Sequence, residues 1–165
     1  MSNAVQMRRV RVTPTLDTSA YATGDQVSAL QTVNELLSAD GMGSRLSLIT
    51  ILDKAKQKSA LDLFFFDRVV TVAADNAAAD MTDADMINCM GVVNILATDY
   101  DDTASNSFAT VNINFPMKHE GSGNPSQLGT PLIPRHRVYM AIVARGAPTY
   151  AASDLVITLT SETDE

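Results

Sequence analysis

The sequence predicts an all-β fold, a two-sheet antiparallel sandwich or jelly roll of about eight strands with one short helical insertion. Short segments with strand patterns recur along the chain, and turn-forming residues separate them at fairly regular spacing. The clearest segment is Ser107 to Phe115, where apolar residues alternate strictly with Thr110, Asn112 and Asn114. Hydrophobic residues make up 45% of the chain but aromatic residues only 5%, which predicts a core of mainly aliphatic side chains.

Four strands are predicted in the first half of the chain. Arg8 to Val12 alternates arginine with valine and ends before Pro14, which lacks an amide donor. Leu30 to Leu37 fits a strand or a short helix, and we favour the strand. Arg45 to Asp53 is rich in leucine and isoleucine and is expected to be a central strand. Ala60 to Phe66 is apolar on both faces near its end, which indicates burial on both sides.

Two connections follow from this pattern. The basic run Lys54 to Ser59 separates two strongly apolar strands, so we expect an exposed hairpin loop there. Further along, Thr82 and Asp85 have the spacing of a capping box. They predict one or two helical turns over Asp83 to Met90, ended by Gly91.

Four more strands are predicted in the second half, over Val92 to Thr98, Ser107 to Phe115, Arg137 to Ala144 and Leu155 to Thr160. We expect the last two to form an antiparallel pair around the intervening Gly-Ala-Pro turn. Six glycines and prolines between Lys118 and Pro134 predict a long loop that contacts something outside the domain.

The 165 residues form one predicted domain, with an N-terminal arm over about residues 1–7 and a solvated acidic tail over about residues 161–165. The formal charge of −7 disfavours non-specific binding to nucleic acid or to anionic membranes, because both require clustered lysine and arginine. Neither a signal peptide nor a membrane-spanning run is recognisable in the sequence, and the single cysteine agrees with synthesis in a reducing cytoplasm.

The sequence contains no convincing catalytic, metal or cofactor motif, so we expect neither an enzyme nor a bound cofactor. His119 and His136 lack partners at metal-ligand spacing and are expected on the surface. Cys89 lies among apolar residues and is expected to pack as a small hydrophobe. The acidic loop with Asp99, Asp101 and Asp102 could hold a calcium ion, but a solvated loop is the favoured interpretation. Neither a nucleophile elbow nor a phosphate-binding glycine loop occurs.

Six basic residues are the best candidates for binding a partner, because together they would form a positive patch on an acidic protein. They are Arg8, Arg9, Arg11, Lys54, Lys56 and Lys58. The alternative is that these charges protect an exposed strand edge from unwanted pairing, and we weigh the two interpretations about evenly.

Three segments carry a resemblance to small structural proteins of tailed-phage virions. They are Thr18-Ser19-Ala20-Tyr21-x-x-Gly24-Asp25-x-Val27, Leu61-x-Leu63-Phe64-Phe65, and Asp75-Asn76-Ala77-Ala78 with Asp83-Ala84-Asp85. Each segment is uninformative alone, but such proteins carry them together at similar separation. The resemblance covers about the first two thirds of the chain.

The resemblance implies a non-enzymatic virion protein, namely a capsid decoration or cement protein of the shell surface. It would be made in the cytoplasm of a bacterial host and would bind the major capsid protein, with further contacts between its own copies. A head-tail connector or tail protein is the alternative, and a carbohydrate-binding jelly roll is a remote one. The absence of Trp and the four Tyr residues count against a sugar site.

Overall fold

The chain folds into two antiparallel sheets in the computed structural model, which describes residues 5–37, 44–117 and 137–164. Within these ranges there are nine strands, one helical turn and one 3-10 turn at Ala97–Asp99. The elements in chain order are β1 Val5–Val12, β2 Gln31–Val33, β3 Ser44–Asp53, β4 Leu61–Phe66, α1 Asp83–Met86, β5 Cys89–Ile95, β6 Tyr100–Asp102, β7 Ser107–Met117, β8 Val138–Ala144 and β9 Leu155–Asp164. The predicted all-β sandwich is confirmed.

The strand pairing is that of a jelly roll. One sheet has the order β1-β9-β3-β7-β6 and the other the order β2-β8-β4-β5. Strand β1 pairs with β9, β2 with β8, β3 with β7 and β4 with β5, as in one long hairpin rolled into two layers. The three-residue β6 only extends the edge of the first sheet beyond β7.

The core lies between the two sheets and is aliphatic, as the composition predicts. Alternate residues of β3 and β9 point inward and are fully buried, including Ile49, Ile51 and Ile157. Leu63 and Phe65 of β4 meet them from the facing sheet. Burial of each such side chain contributes about 1.5–3 kcal/mol, so this layer accounts for much of the stability of the fold.

Strand β4 is buried on both sides because the 67–88 segment between β4 and β5 returns across its outer face. That segment and the sheet form a second apolar cluster around Phe66, Val70 and Ala141. Cys89 packs half-buried against this cluster, and desolvation raises the pKa of its thiol. The expectation that Cys89 behaves as a small hydrophobe is confirmed.

Two of the segments quoted above, those around Tyr21 and Asp75, meet in one hydrogen-bonded cluster. The Tyr21 hydroxyl donates to Oδ1 of Asp75 at 2.7 Å and accepts from the Asp17 amide at 2.9 Å. The same Asp75 oxygen accepts from the Ser28 amide at 2.7 Å. The backbone amide of Asn76 donates to the Gln26 carbonyl at 2.9 Å. These residues join the 67–88 segment to the segment before β2, so their role is structural.

The expected arm and tail are wrong for the described residues. Strand β1 begins at Val5, and β9 continues to Asp164, because these two strands pair residue by residue to their ends. Ser161 and Thr163, expected in solvent, are fully buried. Residues 1–4 and 165 lie outside the described ranges.

Two predicted connections are also wrong. The 54–60 connection joins strands of opposite sheets, so it crosses the sandwich and is not a hairpin loop. Strands β8 and β9 likewise lie in different sheets and do not pair with each other. Local alternation identifies a strand, but it does not say which of the two sheets the strand joins.

The helix is shorter than predicted. Thr82 caps it by accepting from the Asp85 amide, as expected, but α1 ends at Met86. Strand β5 then begins at Cys89, which pairs with Phe66. The residues after the first helical turn therefore join the sheet and do not continue the helix. Gly91 lies inside β5 and does not end the helix. The predicted Leu30–Leu37 strand shrinks to β2, and its apolar end at Leu36 and Leu37 is buried outside any strand.

Candidate partner-binding surface

The two sheets differ in what covers their outer faces. The 67–88 segment covers the four-stranded sheet, as the second apolar cluster shows. In the described part of the chain, no comparable segment packs on the outer face of the five-stranded sheet. We call this the open face. It presents the outward positions of β1, β9, β3, β7 and β6.

Three rows of paired residues cross the open face. The middle row runs from Arg11 through Thr158 and Thr50 to Thr110. One flanking row contains Val156, Leu52, Phe108 and Asp101, and the other contains Arg9, Thr160, Leu48 and Asn112. A shallow groove of about 330 Å³ is lined by Arg11, Thr158 and Thr50 of the middle row, by Val156, Leu52 and Phe108 of the next row, and by Arg9 and Thr13. The face thus combines a threonine strip, an apolar strip and a cationic edge.

Arg9 and Arg11 form that cationic edge. Both side chains are exposed and point to the same side of β1, because strand residues two apart share a face. Within the described ranges neither guanidinium makes a hydrogen bond or an ion pair. Other basic residues are engaged: Arg145 contacts Asp62, and Arg45 donates to Asn114. Arg9 and Arg11 therefore keep their full capacity to bind an anionic partner.

The predicted basic residues fall into separate groups. Arg8 alternates with Arg9 along β1 and lies on the side of the strand opposite to the open face. The three lysines lie in the connection after β3 and hold neighbouring loops. Lys54 Nζ donates to the Ser153 carbonyl at 2.9 Å, Lys56 Nζ donates to the Thr103 carbonyl at 2.8 Å, and Lys58 Nζ pairs with Asp102 at 2.8 Å. Whether any of the six residues binds a partner stays a prediction.

The predicted acidic loop is organised by bonds within the protein. Asp99 Oδ2 accepts from the Leu96 amide at 2.7 Å, and the Lys58 ammonium lowers the pKa of Asp102. Only the side chain of Asp101 lies on the open face, opposite Phe108. Across the described ranges, no three His, Cys, Asp or Glu residues are grouped so that they could hold a metal ion. His119, His136 and the predicted loop Lys118 to Pro134 lie outside those ranges.

A buried polar cluster lies at one end of the sandwich. Asp53 is fully buried at the end of β3, and desolvation raises the pKa of its carboxyl group, while the Lys58 amide donates to its Oδ2 at 2.8 Å. Its charge in turn raises the pKa of Tyr100 and Tyr150, beyond the larger effect of their burial. Asp53 Oδ1, the two hydroxyls and Ser107 Oγ have no partner among the described atoms. All four of these residues are buried.

Comparison with known proteins gives no match to a protein family and none to a curated protein. The functional interpretation therefore depends on the geometry and on the segments quoted above. No helix in the part of the chain that the structure describes is long and apolar enough to cross a membrane.

The open face includes residues that sequence reasoning did not single out. Leu52, Phe108 and Val156 are outward residues in strands whose inward residues form the core. An apolar residue at an outward position breaks the usual alternation of apolar and polar residues, and this break is the only indication of the apolar strip in the sequence. It could not be read as a surface feature because the neighbours of β3, β7 and β9 were unknown.

Proposed function

We propose that this protein is a non-enzymatic structural component of a tailed-phage virion, a decoration protein that binds the major capsid protein on the outer shell and stabilises it. The open face carries this proposal. The four-stranded sheet has its outer side covered by the protein's own chain, whereas the five-stranded sheet presents a groove and two arginines that have no partner among the described residues. A jelly-roll domain that covers the outer face of one sheet and leaves the open face available can bind another protein through that face.

The partly buried cluster around Tyr21 and Asp75 supports the same proposal. Residues of the segments that resemble phage structural proteins contact each other although 54 positions separate Tyr21 from Asp75. These contacts hold two loops together, which is a structural role. Binding to a shell needs only a stable scaffold and a complementary surface.

A comparison of phage particles with and without this protein tests the proposal. Deletion of the gene and three-dimensional imaging of both particles should show density lost evenly over the shell surface. Density lost at a single vertex, or along the tail, would contradict decoration and would favour the connector or tail alternative. Gel densitometry adds a second criterion, because a decoration protein is present in many copies per particle.

A further inference from the structure

We infer that the open face docks on an acidic surface patch of a different protein, with Arg9 and Arg11 as the charged anchors and the Phe108 strip as the apolar contact. Under the proposed function, on which the identity of the partner rests, that protein is the major capsid protein. The partner would present clustered Asp or Glu side chains beside a small apolar contact area.

Charge supports an acidic partner. The chain carries a net charge of −7, yet the β1 side of the open face presents two guanidinium groups without a carboxylate partner in the described structure. Neighbouring guanidinium groups that no internal carboxylate neutralises attract carboxylates and pair with them bidentately. Two arginines on one strand edge would therefore select and orient an acidic patch.

The apolar strip supports docking by direct contact. Phe108 is 38% exposed, although it lies in a strand whose inward residues are buried, and Leu52 and Val156 are its neighbours in the same row. Three apolar side chains on adjacent strands form a continuous strip along the groove. Aromatic and arginine side chains are also the residue types that contribute most to protein interfaces.

A second copy of the chain fits this face less well. Around the groove the described charges are Arg9, Arg11 and a single carboxylate, Asp101. Farther along, Arg45 lies opposite Glu162 and the two charges offset each other. Two such faces brought together would place unneutralised arginines at the interface, and each chain would add its net negative charge. An acidic protein of another kind offsets the excess positive charge.

The competing explanation is edge protection, since β1 is an eight-residue strand at the edge of its sheet. Arginine on an edge strand discourages pairing with other chains. Edge protection, however, does not account for the exposed Phe108 on β7, which β9 and β3 separate from β1. The two explanations also differ in their expected mutant behaviour.

The test uses shells purified from phage that lack this protein, incubated with the full-length chain and its variants, and analysed by co-sedimentation. The variant Arg9→Glu/Arg11→Glu reverses the anchors, and Phe108→Ser removes the aromatic contact. The matched pair is Arg11→Glu alone against Arg68→Glu, which makes the same change in net charge on the 67–88 segment that covers the other sheet. Circular dichroism and thermal melting confirm that each variant is folded.

We expect the double arginine variant to bind shells roughly tenfold more weakly or worse, Arg11→Glu and Phe108→Ser to bind several-fold more weakly, and Arg68→Glu to bind like wild type. Binding by the wild type should also weaken as salt is added. If the wild type and the arginine variant bind shells equally, the docking face is wrong while the proposed function stands. If the wild type does not bind shells, both fail. If the arginine variant instead loses self-association on a sizing column, the occupant is a second copy and the inference is overturned.

Discussion

At the scale of single residues, the stability of the fold depends on a few buried polar contacts that connect distant segments. Tyr21 is 2% exposed, and its hydroxyl bridges the Asp17 amide and the Asp75 carboxylate. The sequence showed Tyr21 and Asp75 as members of separate motifs. Their contact could not be predicted, because it depends on how the 67–88 segment returns across the sheet.

Tyr21→Phe should destabilise the protein by about 1.5–3 kcal/mol, since it removes a hydrogen bond to a charged group and leaves the Asp17 amide without its acceptor. Urea unfolding followed by circular dichroism measures this loss. Tyr139→Phe is the matched control, because its hydroxyl makes no hydrogen bond within the described residues and its ring is half-buried. Equal losses in the two variants would contradict a special role for Tyr21.

Asp53 should make the stability depend on pH. Burial raises the pKa of its carboxyl group in the folded state, so the folded protein binds the proton more tightly than the unfolded chain. This contribution to stability is complete below the unfolded pKa of about 3.8 and is lost as pH rises through the folded pKa. Tyr100 and Tyr150 face the same group and stay protonated over this range, because burial raises the pKa of each hydroxyl.

Asp53→Asn removes this titration while keeping an acceptor for the Lys58 amide. Relative to wild type, the variant should therefore gain stability as pH rises from about 4 to about 7, since only the wild type must bury a developing charge. Free energies of unfolding measured at several pH values give this difference directly, because the other carboxylates are common to both proteins. A difference that does not change with pH would contradict the raised pKa.

At the scale of elements, alternation in the sequence predicted where strands lie but not where they end or which sheet they join. Strand β7 follows the predicted pattern, because the period of two reports directly on one buried face. Strand β1 is longer than predicted, because β9 supplies hydrogen-bonding partners for Val5 and Met7, which the local sequence does not favour as a strand. The open face could not be predicted without the order of the strands in the sheet, and that order depends on pairing between residues far apart in sequence.

Gly91→Ala tests how closely the two layers pack. A Cβ atom at this position would clash with Cε2 and Cζ of Phe115, on β7 of the facing sheet. The Phe115 ring also packs on Phe65 at a centroid distance of 5.7 Å, so its displacement would disturb the core. We expect destabilisation of about 1–3 kcal/mol, from overpacking and from the strain of a side chain at φ +155°, measured as the shift of the urea midpoint.

Two further variants make the test of Gly91 specific. Gly24→Ala is the comparison at a glycine with φ +97° and no atom within 4 Å of the added Cβ, so its cost arises from backbone strain alone. Combining Gly91→Ala with Phe115→Leu should recover part of the loss, because the smaller side chain vacates the space. A double variant less stable than the sum of the single changes would argue against a steric clash.

At the scale of the whole molecule, the jelly roll places both ends of the described chain in one strand pair. Val5 pairs with Asp164, and the pairing continues to Val12 opposite Ile157. Removal of residues 1–12, a natural test for an N-terminal arm, would therefore remove an edge strand and the arginines of the open face together. Only a deletion confined to residues 1–4 separates an arm from the fold.

Truncation after Thr160 is the sharpest test of this arrangement. A solvated tail would be dispensable, but Ser161 is fully buried and its hydroxyl donates to the Leu36 carbonyl at 2.6 Å. Loss of residues 161–165 also removes buried Thr163 and the partners of the first half of β1. We expect a loss of about 2–4 kcal/mol, with early hydrogen exchange of the β1 amides as its local signature. Glu162→Gln is the control, because it changes the charge of this segment and keeps the strand. If truncation and control leave the unfolding midpoint equally unchanged, the pairing of β1 with the end of β9 does not stabilise the protein.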